Sequence, residues 1–87
     1  MPFAGQITRG ADMVQREVAT EYKNCQLNRD MLAEILGKVQ LKRPGVDVLI
    51  IRCRRATRTV YQAIQENAER WKNTHGRPIR IEIAEDA

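Results

Sequence analysis

The chain has 87 residues, with 15 Lys and Arg against 11 Asp and Glu, a net charge of +4 and two cysteines. That length supports one domain with a thin core, and the basic excess, spread over both halves, admits anionic partners without forming a dedicated nucleic-acid tail. Cys25 and Cys53 stand in no Cys-x-x-Cys pair and near no histidine cluster, which excludes a disulfide framework and a zinc ribbon.

The opening Met1-Pro2-Phe3-Ala4-Gly5-Gln6 has no basic segment followed by a long apolar run, so no secretory signal is expected. No stretch approaches the roughly 20 apolar residues of a membrane span. Both thiols are expected to act as small, buried apolar side chains of a soluble protein in a reducing, cytoplasmic compartment.

From Thr8 onward Ile7, Ala11, Val14, Val18, Tyr22 and Cys25 recur at spacings of three and four, which predicts helix over residues 8–41. Asn24, Gln26 and Asn28 interrupt the stripe. The region is therefore either one long helix or a hairpin of two, the second capped by Asn28 with Leu27 and Leu32 as its hydrophobic staple. Leu32, Ile35, Leu36 and Val39 continue the apolar face, and Pro44-Gly45 ends it. Glu21 and Asn28 fall where a coiled-coil seam needs apolar residues, so the stripe reads as core.

Beyond Gly45 three patterns follow without interruption. Val46 through Arg54 is rich in β-branched residues and apolar on both faces, as in a strand covered on both sides, or on one side with a partner on the other. Val60, Ala63, Ile64, Ala68 and Trp71 then share one helical face, with Arg58, Gln62, Glu66, Glu69 and Lys72 on others, and His75-Gly76-Arg77-Pro78 closes the helix. Ile79, Ile81 and Ile83 alternate with Arg80 and Glu82 in a half-buried strand. The expected fold class is α+β in a single domain, 1–87: a helical region over residues 1–45 and a strand–helix–strand unit over residues 46–87. Two strands are marginal alone, so the sheet is expected to be completed by self-association or by a partner.

No constellation points to catalysis, to a cofactor or to a metal. His75 is the sole histidine and abuts a turn glycine, without the companions of a metal site or of a nucleophile–base pair. Glu66 and Glu69 share a helix face beside Arg58, Arg70 and Lys72, the pattern of a solvated, salt-bridged surface. No Gly-rich phosphate loop follows the first strand of the unit. The candidate binding residues are Arg52, Arg54, Arg55 and Arg58, four guanidinium groups within seven residues that repel one another unless anions or carboxylates neutralise them; residues 82–86 offer such carboxylates.

The run Ile50-Ile51-Arg52-Cys53-Arg54-Arg55, the helix with Val60, Ala63 and Ile64 that ends at Trp71-Lys72, then Gly76 and Ile79-Arg80-Ile81-Glu82-Ile83, resembles the opening of the globular C-terminal domain of the E-type peripheral-stalk proteins of V-type and archaeal-type ATPases. The likeness spans residues 46–83. It implies a non-catalytic stalk protein with a long N-terminal helix, docked on other components of the ATPase. This chain departs from that family in its shorter helical region and in stopping at Ala87, where the family continues.

The functional expectation is a non-enzymatic protein-interaction or assembly module, an adaptor or small subunit of a larger complex, with a protein partner or a second copy of itself. The alternative is a small basic nucleic-acid-binding protein whose arginine cluster, with Arg77 and Arg80, contacts phosphates. Against it stand the lack of stacking aromatics on the expected strands and of a Gly-x-x-Gly clamp.

Overall fold

The computed structural model describes residues 16–86. The expected helical stretch around Ile7, Ala11 and Val14 lies outside the described residues. Within them the chain runs β1 (Val18–Leu27), α1 (Arg29–Lys42), β2 (Val48–Ala56), α2 (Arg58–Glu66) and β3 (Arg80–Glu85). The strands form a parallel sheet in the order β1-β2-β3, so the class is α+β with two consecutive strand–helix–strand crossovers.

β1 corrects the helical expectation over residues 18–27. Val18 and Tyr22 lie four apart, an even spacing that fits a strand as well as a helix, and Val18-x-Thr20-x-Tyr22 is an alternation of residues that favour strands. Pairing decides between them, because the apolar edge of β2 accepts β1 in register from Val18 opposite Val48 to Lys23 opposite Cys53. Between Lys23 and Gln26 the register shifts, and Gln26 stands opposite Arg55. β1 thus carries one extra residue at a bulge that leaves Cys25 exposed. The third strand comes from this chain's own N-terminal half, so the sheet beyond β2 and β3 is supplied without a partner.

α1 is the second helix of the hairpin reading. Asn28 has extended backbone and its side chain accepts a hydrogen bond from the Met31 N–H at 2.9 Å, while Leu27 and Leu32, both fully buried, form the staple. Asp30 in the first turn and Lys42 in the last suit the helix dipole. Leu32, Ile35, Leu36 and Val39 are its buried face. They join Ala19, Leu49, Ile51, Cys53, Val60, Ala63 and Ile79 in one core, each large side chain contributing about 1.5–3 kcal/mol by leaving water.

α2 ends at Glu66, five residues short of the expected Trp71. Asn67 stops it: the backbone N–H and Nδ2 of Asn67 both donate to the Ala63 carbonyl, at 3.0 and 2.8 Å. Ala68 and Trp71 continue the apolar spacing but lie in the turns that follow, Ala68 exposed and Trp71 packed against the core. A short loop then folds back through paired Lys72 and Pro78, with Gly76 at φ +79°, a conformation that a side chain would strain.

Crossovers of this kind are right-handed, and two in succession along one sheet send both helices to the same face. The core agrees, drawing Leu49, Ile51 and Cys53 of β2 together with buried residues of both helices. The opposite face carries Val18, Thr20, Tyr22, Val48, Ile50, Arg52, Arg54, Arg80, Glu82 and Ala84, every one exposed or partly exposed. Among the described residues nothing covers it. No described helix is long and apolar enough to cross a membrane.

Candidate interaction surface

The uncovered face divides along the strands. Toward the amino ends β1 and β2 are mainly apolar, with Val18 beside Val48 and Thr20 beside Ile50 in register, while β3 sets the paired Arg80 and Glu82 beside Val48 and Ile50; Val18 is 47% exposed. Toward the carboxyl ends it turns basic, with Tyr22 opposite Arg52 and Arg52 opposite Ala84. Tyr22 is 60% exposed.

At that carboxyl end the β1 bulge, the end of β2 and the residue after β3 enclose an open hollow of about 810 Å³ lined by Tyr22, Asn24, Cys25, Gln26, Arg54, Arg55 and Asp86. The arginine cluster is split around it. Arg52 donates to Asp86 at 3.3 Å in an exposed ion pair, which matches the expected neutralisation by residues 82–86. Glu82 pairs instead with Arg80 at 3.0 Å, and Glu85 accepts a hydrogen bond from the Tyr61 hydroxyl. Arg54 and Arg55 both line the hollow, whereas Arg58 opens α2 and is not among its lining residues. None of Arg54, Arg55 and Arg58 forms an ion pair among the described residues.

Tyr22, Asn24 and Gln26 escaped the sequence reading because they fell within the supposed helix. The two expected strands carry no aromatic, as expected, and the sheet gains Tyr22 only through β1. The strand alternation around Thr20 was the available signal.

The amino edge is occupied differently. Asp47, nearly buried, accepts hydrogen bonds from Arg77 Nε at 2.8 Å, Arg77 Nη2 at 3.2 Å, Asn73 Nδ2 at 2.9 Å and the Glu17 N–H at 3.2 Å. The Arg77 hydrogen bonds outweigh burial and hold its carboxyl below the usual range, and in return Asp47 raises the guanidinium. Every oxygen is satisfied, which makes this a clasp between the start of β2 and the loop before β3. Arg77 is thereby engaged away from the hollow. His75 lies at this same edge, its Nε2 3.1 Å from where a side chain on Gly45 would begin. Glu66 pairs with Arg29 of α1 at 3.2 Å in an exposed bridge. Among the described residues no group of three or more His, Cys, Asp and Glu could hold a metal ion.

Cys53 is fully buried, and burial pushes its thiol up. Cys25 corrects the expectation of two buried thiols.

No protein-family model, curated protein or solved structure matches the chain.

Proposed function

We propose that the chain is a non-enzymatic protein-interaction module, a small subunit or adaptor of a larger assembly, and that it docks through the open face of its sheet. The observation that carries this reading is the one-sided cover. Parallel sheets are ordinarily buried on both faces, because strands with apolar residues on each side need two apolar layers. Here β2 offers Leu49 and Ile51 to the helices and leaves Val48 and Ile50 facing outward beside Val18. A protein surface laid over that half removes apolar area from water, and carboxylates at its rim meet the arginines. A stalk-like role, implied by the resemblance of residues 46–83 to the E-type stalk proteins of V-type and archaeal-type ATPases, is a special case of the same reading.

The test is gel filtration of the full chain in native extract, with light scattering of the purified protein, each repeated with Val18→Glu. Val18 is half exposed, so the substitution disturbs docking more than folding. A complex larger than the monomer, lost in the variant, supports the reading; a monomer under both conditions overturns it.

A further inference from the structure

We propose that the hollow at the carboxyl end of the sheet binds a nucleotide unit, its phosphate held by Arg54 and Arg55 and its base stacked on Tyr22. This goes beyond docking through the apolar half of the face, and it is tested separately because Val18 does not line the hollow.

Size and charge are the first considerations. The hollow is open along one side and wider than an inorganic anion needs. Among the described residues its only acidic lining residue, Asp86, is engaged by Arg52, and exposed Arg54 and Arg55 lack carboxylate partners. Two guanidinium groups that line one hollow without counter-charge among the described residues favour an anion, and their forked donors match the oxygens of a phosphate. α1 and α2 begin immediately after the carboxyl ends of β1 and β2, so both helix dipoles add positive potential at this edge.

The remaining lining chemistry selects among anions. Tyr22 presents an aromatic face, and every base has a flat π-surface that stacks on one. Asn24 and Gln26 each carry a hydrogen-bond donor and an acceptor, which suits the edge of a base. The bulge between Lys23 and Gln26 interrupts the strand pairing where these amides line the hollow. A simple carboxylate would use the arginines and leave the aromatic and the amides idle. The same unit occurs free or within a single strand, and the two sources are separable by experiment.

Cys25 lines the hollow and is exposed, so its rate of modification reports occupancy. The full chain is titrated at physiological salt with adenosine and uridine monophosphates, a mixed-sequence single-stranded RNA oligonucleotide, inorganic phosphate and a polyglutamate peptide. Saturable slowing of Cys25 modification by a nucleotide or by the oligonucleotide is expected. Protection by the mononucleotides assigns a free nucleotide, and protection by the oligonucleotide alone assigns a strand. Arg54→Gln with Arg55→Gln, and separately Tyr22→Leu, abolish the protection, whereas Tyr22→Phe keeps it; circular dichroism checks that each variant is folded. For the oligonucleotide, the binding that remains when both arginines are lost has a logarithmic salt slope shallower by about 0.7, the loss of one phosphate contact. No protection by any nucleotide, equal protection by phosphate or polyglutamate, or protection unchanged in the variants overturns the proposal.

Discussion

Arg77 clasps Asp47 through two nitrogens, Nε at 2.8 Å and Nη2 at 3.2 Å, and so ties the loop before β3 to the start of β2. Asn73 and the Glu17 N–H complete the carboxylate's partners. Removing the carboxylate leaves the Glu17 N–H without its acceptor and releases Arg77 to water, while Asn73 Nδ2 keeps the Val46 carbonyl at 2.9 Å. Asp47→Ala is expected to lower stability by about 1–3 kcal/mol in urea unfolding, while Arg77→Ala, at a mostly exposed side chain, has the smaller effect.

The same clasp sets an acid limit. Asp47 has a folded pKa below its unfolded value of about 3.9, so its contribution is present above that value and is lost as pH falls through the folded one. Urea midpoints measured from pH 5 down to about pH 3 should fall more steeply in the native chain than in Asp47→Asn. Parallel curves would show that the carboxylate is not the group responsible.

At the opposite limit stands Tyr61. Its hydrogen bond to Glu85, aided by burial, pushes the phenol up to about 12. A raised pKa means that the contribution is complete below the unfolded value of about 10 and is lost as pH rises toward 12. Ultraviolet titration should show one late phenol that Tyr61→Phe removes and Glu85→Gln brings down; persistence of the late step in Glu85→Gln would contradict the assignment.

The thiols separate by exposure. In the folded chain one cysteine should react quickly and one slowly, and Cys25→Ser should abolish the quick phase. Cys53→Ser places a hydroxyl in the core between β2 and the helices and is expected to cost about 1–3 kcal/mol. A fast phase that survives Cys25→Ser would mean that β2 opens readily.

The strand–helix–strand order over residues 46–83 was legible because three different periods follow one another there. α1 was legible through Asn28 and its staple. β1 was not: Val18 and Tyr22 satisfy both periods, and only the pairing partner β2, distant in sequence, resolves them. The end of α2 was missed for a related reason, since Ala68 and Trp71 keep a helical spacing that the Asn67 cap interrupts. The arginines were visible as composition, but their division into Arg52 on Asp86 and Arg54 and Arg55 in the hollow depends on strand alternation and on the bulge. Tyr22 entered the site only with β1.

The central claim is that the open sheet face is an interaction surface, and the native size of the chain tests it most directly. Gel filtration of native extract, paired with light scattering of the purified full chain, should place the protein in a complex larger than its monomer and should return Val18→Glu to the monomer. A native chain that runs as a folded monomer in extract and at high concentration would contradict the account.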